Sequence, residues 1–323
     1  MLPKVELHLH LDCSLSYDVV RALRPAISKD IYREEFIAPQ RCTNLADFLK
    51  RAPKGIELMQ TEAELSAVVA DLFQQLLADN VIYAEIRFAP LLHLAKGMTP
   101  QAVVEIVNDA TERAIRETGI EARLILCTLR HFNTEQGLAT AKLVKQFAGT
   151  KVVALDLAGD EAGFPITPHI PAYEFARANN LCRTAHAGEA AGAESVWDTL
   201  RLLQPQRIGH GVRSTEDVAL LEFLREQQIH LEVCPSSNLQ TNVYSEMAGH
   251  ALDDLYRAGL SVGISTDART ITDVTLEQEY EKMRQVFGWT DQELLQCNLN
   301  ALRAAFVPDD LKHKLELRLK SGQ

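Results

Sequence analysis

The sequence predicts an α/β fold, a single (β/α)8 TIM barrel domain spanning residues 1–323, for three reasons. Eight short runs rich in β-branched and aliphatic residues recur along the 323 residues. Segments with helical periodicity lie between them, and this alternation is typical of a parallel barrel. The histidines and carboxylates suited to chemistry fall at the carboxyl ends of the runs, the face where such barrels bind their ligands.

The predicted strands follow one another in chain order. The first, VELHLH, alternates polar and apolar residues as a strand does, and the fourth, KVVALDLA, is a nearly continuous apolar run. The eight predicted strands are 5–10, 81–89, 122–129, 151–158, 182–187, 206–209, 229–234 and 260–265.

The predicted helices fill the intervals after the strands. In 99–118, Thr99 can cap the helix and Pro100 suits its first position, ahead of a periodic apolar face. The other predicted helices are 134–147, 168–180, 191–203, 216–227, 248–258 and 276–287.

Residues 14–80 are too many for one connection between strands. They contain helical pieces such as 44–51 and 57–79, so we expect a helical cap segment over the mouth of the barrel. The chain after residue 290 predicts one or two extra C-terminal helices. Without a linker or repeat, a second domain is not expected.

The composition limits the classes of partner. A net charge of −11 disfavours nucleic acid and anionic membrane surfaces, so we expect a small neutral or cationic molecule. Six dispersed cysteines predict reduced thiols, and the first motif starts too early for a signal peptide. These features favour a cytoplasmic protein and leave its oligomeric state open.

His8 and His10 form the first candidate metal motif. Two residues apart on a strand, they share a face with Cα atoms about 7 Å apart, which lets both rings reach one ion. His186 and Asp267 add a third imidazole and a carboxylate from strand ends that a closed barrel brings close. Three imidazoles and one carboxylate suit a catalytic zinc, so the sequence predicts one zinc ion per chain.

Glu189 and His210 are the candidate catalytic residues beside this metal. Glu189 lies three residues after His186, where a carboxyl group in a water-poor pocket has a raised pKa and can donate a proton. His210 is flanked by two glycines that permit close approach to a ligand. Six other histidines are predicted to be structural: His93, His131, His169, His230, His250 and His313.

Six motifs together resemble those of the adenosine deaminase family. In chain order they are PKVELHLHLD (3–12), DLAGDE (156–161), HAGE (186–189), RIGHG (207–211), LEVCPSSN (231–238) and STD (265–267). Segments NLADFL (44–49) and EIRFAP (85–90) are also similar, so the resemblance covers nearly the whole chain.

The resemblance implies zinc-dependent hydrolytic deamination of an aminopurine nucleoside. The expected substrates are adenosine or deoxyadenosine, and the products are inosine or deoxyinosine and ammonia. The family roles map onto zinc ligands His8, His10, His186 and Asp267. Glu189 would protonate ring nitrogen 1, His210 would orient and help deprotonate the attacking water, and Asp267 would also bind that water.

The family's substrate contacts map less completely. Gly159 would offer its amide to purine nitrogen 3, and Asp12 would meet the ribose 5′-hydroxyl. The family usually has a second acidic or amide residue after the metal aspartate, to contact nitrogen 7, where this chain has Ala268 and then Arg269. Arg269 either donates to nitrogen 7 instead or pairs with a carboxylate outside the pocket. Cys13 replaces a usual glycine.

Three alternatives stand beside this interpretation. Loss of the second polar residue is compatible with a modified adenine nucleoside as substrate, such as aminodeoxyfutalosine or an N6-substituted purine. Metal-bearing barrels that hydrolyse amides or phosphoesters share the HxH motif, but they commonly carry a bridging lysine, and strand 4 here ends in DLAGDE. A non-catalytic zinc-bearing binding protein is disfavoured because the ligand set and Glu189 are all present.

Overall fold

The computed structural model describes residues 1–322 and has the predicted barrel architecture. Eight strands form one sheet in the order β1 to β8, and each is parallel to the next. The strands are β1 (Lys4–His10), β2 (Val81–Phe88), β3 (Glu121–Leu129), β4 (Val152–Ala158), β5 (Cys182–Ala187), β6 (Arg207–His210), β7 (His230–Val233) and β8 (Val262–Ile264). All eight predicted strands are confirmed, with ends that differ by at most two residues.

The barrel closes between β1 and the residues just after β8. A parallel bridge joins Leu9 to Asp267. The His10 amide donates to the Asp267 carbonyl at 2.8 Å, and the Asp267 amide donates to the His8 carbonyl at 3.0 Å. The expected adjacency of the first and last strands is therefore confirmed, although the closing hydrogen bonds lie beyond β8 itself.

Helices follow the strands as predicted. Thr99 caps one of them, because its side chain accepts the amide hydrogen of Ala102. The helices are α1 (Tyr17–Leu23), α2 (Lys29–Phe36), α3 (Leu45–Leu49), α4 (Ala52–Ile56), α5 (Glu62–Ala78), α6 (Pro100–Thr118), α7 (Thr134–Gln146), α8 (Ile170–Ala178), α9 (Ala193–Leu202), α10 (Val218–Glu226), α11 (Pro235–Gln240), α12 (Leu252–Arg257), α13 (Arg269–Thr272), α14 (Leu276–Phe287), α15 (Asp291–Ala304) and α16 (Asp309–Ser321).

Two short helices lie outside the sequence prediction. The sequence did not indicate α11, the next helix after β7, or α13, the next helix after β8, because a helix of four to six residues shows no apolar period. The segment between β1 and β2 contains five helices, α1 to α5. Within it, Gly55 packs so closely on the chain after β1 that an added Cβ would lie 2.6 Å from the Asp12 carbonyl oxygen.

The barrel core combines aliphatic side chains with fully buried charges. The guanidinium of Arg87 lies between the carboxylates of Asp156 and Glu232, and the side chains of all three are inaccessible to solvent. A buried charge is tolerated only when a partner offsets its lost hydration, so these three residues depend on one another.

All six cysteines are free in the part of the chain that the structure describes, and four of them are buried. Across residues 1–322, no helix is both long and apolar enough to span a membrane.

Arg269 holds three distant parts of the fold together. Its guanidinium is 2.6 Å from the Glu6 carboxylate in β1 and 2.7 Å from the Asp79 carboxylate after α5. The side chain is almost completely buried in this arrangement. Of the two expectations for Arg269, the structure supports pairing with carboxylates outside the pocket and contradicts donation to a purine ring.

We expect Arg269→Leu to lower the free energy of unfolding by about 3–5 kcal/mol, because it leaves two buried carboxylates without their cation. Urea titration followed by circular dichroism measures the change. Arg33→Leu is the matched control, since the Arg33 side chain is 69% exposed, and it should change stability little. Equal stability of the two variants would show that the buried ion pairs do not hold the fold together.

Candidate active site

The candidate metal ligands converge at the carboxyl-terminal face of the barrel. His8 and His10 lie at the end of β1, His186 lies at the end of β5, and Asp267 follows β8. Alternation along β1 directs both of its histidines into the barrel mouth. The structure thus brings together all four residues expected from the sequence.

The distances between these side chains match those between the ligands of one ion. The Nε2 atom of His10 is 3.2 Å from Nε2 of His186 and 3.3 Å from Oδ1 of Asp267. The Nε2 atom of His8 is 3.4 Å from the same carboxylate oxygen. Ligand atoms in a tetrahedral zinc site, each about 2.0–2.1 Å from the ion, are about 3.3 Å apart.

Unsatisfied polar atoms support the same conclusion. Nε2 of His8 is buried and has no hydrogen-bond partner among the described residues. A buried polar atom without a partner is costly, and a metal ion would satisfy it. The donor set therefore fits a metal.

His210 is a fifth group at the same place. Ligand atoms of His8, His186, His210 and Asp267 all lie within 4.8 Å of one another. By distance alone, four imidazoles are close enough to bind the ion, whereas the predicted ligand set contains three.

Carboxylates hold two of the rings from behind. Nδ1 of His8 is 3.0 Å from Oε2 of Glu232, and Nδ1 of His186 is 3.2 Å from Oδ1 of Asp156. Burial opposes ionisation of Asp156, but His186 and Arg87 hold its pKa well below its usual value. An ionised carboxylate can only accept, so each ring donates from Nδ1, and the neutral form of each ring then has its Nε2 lone pair available for a metal.

Glu189 is a buried carboxyl group beside this cluster. Burial, followed by the negative charges of Asp267 and Glu161, raises the pKa of Glu189 well above its usual value. Its Oε1 atom lacks a partner within residues 1–322, and its Oε2 atom lies 3.5 Å from Nε2 of His210. An uncharged carboxyl group in this position can donate a proton to a bound molecule.

The loop that carries Glu189 is held by another carboxylate. Glu161 accepts hydrogen bonds from the four consecutive amides of residues 188–191, at 2.7–3.0 Å. Its carboxylate also accepts the hydroxyl hydrogen of Ser195. This anchoring fixes where Glu189 enters the site.

Two of the polar residues have an unusual backbone conformation. His210 has φ of 62° and Asp267 has φ of 65°, in the left-handed region that residues other than glycine rarely adopt. Such conformations cost about 1–3 kcal/mol each and persist only where the surroundings enforce them. These strained conformations place the side chains of two candidate site residues, which agrees with a functional role for both.

The predicted substrate-binding residues line two neighbouring cavities. Gly159 and Ala268 line the one that contains His10 and Glu189. Asp12 lines the second, which has a volume of about 300 Å³ and shares Gly159 with the first. Burial raises the pKa of Asp12 to about 6. Residues from the segment between β1 and β2 also contribute to the first cavity: Leu45, Phe48 and Leu49.

Several residues that support the site lie within the motifs, but no role was predicted for them. For two of them the sequence contained a signal, a charged residue inside an otherwise apolar strand: Asp156 in VVALDLA and Glu232 in HLEV. The other supporting residues without a predicted role are Glu161, Ser237 and Asn238.

The fold and site define a class of protein. A parallel barrel with imidazoles and a carboxylate spaced to hold a metal, next to a buried carboxyl group with a raised pKa, is the architecture of a metal-dependent hydrolase. The sequence model of the family described as adenosine deaminase matches residues 3–321, and the chain belongs to that family. It is a hydrolytic deaminase.

Individual relatives agree with this assignment. An adenosine deaminase of Clostridium perfringens is 34% identical over 325 residues, covering 98% of each chain. The crystal structure of an adenine deaminase from Arthrobacter aurescens has a TM-score of 0.90 at 26% identity and covers 99% of both chains. An amidohydrolase from Burkholderia ambifaria with bound Zn has a TM-score of 0.90 at 25% identity, covering 99% of this chain and 90% of its own.

Proposed function

We propose that this protein is a zinc-dependent deaminase that converts adenosine or deoxyadenosine to inosine or deoxyinosine and ammonia in the cytoplasm. The observation that carries the proposal is the buried Glu189 carboxyl group beside the cluster of imidazoles. One of its oxygens has no hydrogen-bond partner among residues 1–322. The similarity to a Clostridium perfringens protein named adenosine deaminase supports adenosine as the substrate.

The proposed zinc ligands are His8, His10, His186 and Asp267, with one ion per chain. Their spacing supports this set, and so does Nε2 of His8, which lacks a hydrogen-bond partner in the part of the chain that the structure describes. When bound, zinc would lower the pKa of a coordinated water to roughly 7 and so supply a nucleophile at neutral pH.

The protein's own groups would act on the purine and the attacking water. Glu189 donates its proton to ring nitrogen 1, which makes carbon 6 a better electrophile. Asp267 accepts a hydrogen bond from the water, while its other oxygen, Oδ2, is held at 2.7 Å by the Ser237 hydroxyl group. His210, whose Nε2 atom lies 3.5 Å from Oε2 of Glu189, orients the attacking oxygen. Collapse of the tetrahedral adduct at carbon 6 expels ammonia: one proton of the attacking water passes through Asp267 to the leaving amino group, and the other restores the proton that Glu189 gave to nitrogen 1.

Substrate position would be set by residues of the two cavities. Gly159 offers its amide to purine nitrogen 3, and Asp12 binds the ribose 5′-hydroxyl. The segment 14–80 acts as a cap, because its residues Phe48 and Leu49 line the cavity and would exclude water from the reacting centre.

We expect protein purified without added metal to contain one zinc ion per chain, and His8→Ala to lose it. The lost imidazole supplies both a ligand atom and the contact with Glu232. Elemental analysis measures the ion. His313→Ala removes an exposed histidine and should keep the full content. Undiminished zinc in His8→Ala would remove this residue from the ligand set.

Ammonia release across a panel of purines tests the proposed reaction. Adenosine and deoxyadenosine should be the best substrates, compared with adenine, adenosine monophosphate and aminodeoxyfutalosine. Preference for aminodeoxyfutalosine would instead support a modified nucleoside. No release from any compound would contradict the proposal and favour a non-catalytic zinc protein.

In this assay Glu189→Gln should lower kcat by about 10²–10⁴-fold, because the amide keeps the shape of the carboxyl group and loses its acidic proton. Zinc content and stability should stay unchanged. Glu194→Gln is the matched control, since Glu194 is a highly exposed residue of α9. A Glu189→Gln enzyme within threefold of wild type would exclude Glu189 as the proton donor.

Ala268 predicts weak recognition of purine nitrogen 7. The methyl group cannot hydrogen-bond, and the Arg269 guanidinium is engaged by Glu6 and Asp79. A lost hydrogen bond of this kind is worth about 0.5–1.5 kcal/mol, or roughly two- to tenfold in kcat/KM. Wild type should therefore discriminate little between adenosine and 7-deazaadenosine, and Ala268→Asp should discriminate more. A hundredfold penalty in wild type would reveal a nitrogen 7 contact from another group.

A further inference from the structure

A buried hydrogen-bond chain leads from the start of α12 to His210. Its first member is His250, whose Nδ1 atom accepts the backbone amide hydrogen of Leu252 at 3.1 Å. An amide can only donate, and burial lowers the pKa of His250 to about 3, so this ring is neutral. Its single proton is therefore on Nε2.

The second member is the side chain of Asn238, which is completely buried. Nε2 of His250 donates to Oδ1 of Asn238 at 3.2 Å, and this contact fixes which way the amide group faces. The Nδ2 atom of Asn238 is then directed at Nδ1 of His210, at 3.1 Å. Because Nδ2 is a donor, Nδ1 of His210 must accept.

We propose that Asn238 and His250 are positioning residues that hold His210 in the tautomer protonated on Nε2, so that His210 is a hydrogen-bond donor in the site and not a metal ligand. The inference rests on the proposed function for the identity of the accepting group, the attacking oxygen.

The contrast with the other imidazoles supports this assignment. His8 and His186 turn Nδ1 towards carboxylates, which leaves their Nε2 lone pairs for a metal. A metal on Nε2 of His210 would require a proton on Nδ1, facing the amide hydrogens of Asn238. The hydrogen-bond chain thereby distinguishes His210 from the metal ligands, which the distances between the side chains do not.

The tautomer also defines what His210 does. With a proton on Nε2, the ring lacks a lone pair there and cannot take a proton from the attacking water. It orients the oxygen and stabilises its negative charge through the N–H group. This role differs from the expected help in deprotonation.

Ring-nitrogen spectra of protein labelled with nitrogen-15 in histidine test the tautomer directly. His210 signals are identified by their loss in His210→Gln. The expected pattern is a protonated Nε2 and an unprotonated Nδ1, in the metal-free and the zinc-loaded protein. A protonated Nδ1 in wild type would overturn the proposal.

Asn238→Asp reverses the hydrogen bond between residue 238 and His210, because a carboxylate only accepts, whereas the bond donated by His250 keeps its direction. We expect Nδ1 of His210 to become protonated and kcat to fall by about 10²-fold, with KM within threefold and zinc retained. If the spectrum of the folded variant keeps the wild-type pattern, Asn238 does not set the tautomer.

The buried carboxylate introduced by Asn238→Asp can prevent the variant from folding. Two His250 variants test the proposal without adding a charge. His250→Gln keeps a donor near the position of Nε2, whereas His250→Leu removes it. We expect kcat to fall by about tenfold or more in His250→Leu and to be largely restored in His250→Gln. Equal kcat in the two folded variants would contradict the proposal. His313→Leu, at an exposed histidine, is the control.

Failure of this inference is distinguishable from failure of the proposed function. The spectra require no substrate, so a protonated Nε2 with no turnover of any purine refutes the proposed reaction and leaves the tautomer assignment intact. Turnover of adenosine by a protein in which Nδ1 of His210 is protonated refutes the tautomer assignment and leaves the proposed reaction intact.

Discussion

The geometry of the site depends on a single buried carboxylate, Glu232, in the interior of the barrel. It accepts the Nδ1 proton of His8 and binds the guanidinium groups of Arg87 and Arg207. Burial alone would disfavour its charge, but the two arginines hold the pKa of Glu232 well below its usual value. Arg87 also binds Asp156, the carboxylate behind His186. The guanidinium of Arg87 thus binds both carboxylates that orient candidate ligand rings, the ring of His8 in β1 and the ring of His186 in β5.

Much of this arrangement could be predicted from the sequence, because the predictive signals are local. Strands appear as short apolar runs, and the residues at their carboxyl ends share a face by the geometry of a parallel barrel. The supporting residues could not be predicted in the same way. Glu232 is far along the chain from His8, and His250 gives no local signal that distinguishes it from a structural histidine. Their importance arises only from contacts that the fold creates.

The backbone of the site shows the cost of bringing so many side chains together. His210 and Asp267 adopt left-handed conformations, and the glycine before His210 leaves no room for a side chain. A Cβ on Gly209 would lie 2.9 Å from Cε1 of His8. Asp267 is also tied into the closing bridge of the barrel through its hydrogen bonds with β1. The rigid closure of the sheet and the placement of the carboxylate are therefore the same structural feature.

In the proposed site, the histidines differ in role according to which group faces the ring nitrogen that is turned away from the site. A carboxylate behind His8 leaves a lone pair at the front, as a metal requires. An amide donor behind His210 leaves a proton at the front, as a negatively charged oxygen requires. Residue type and distance do not separate these two cases, since both rings lie in one cluster. The distinction comes from the second partner, and for His210 that partner is itself oriented by His250 and the Leu252 amide, at the start of a helix on the outer layer of the barrel.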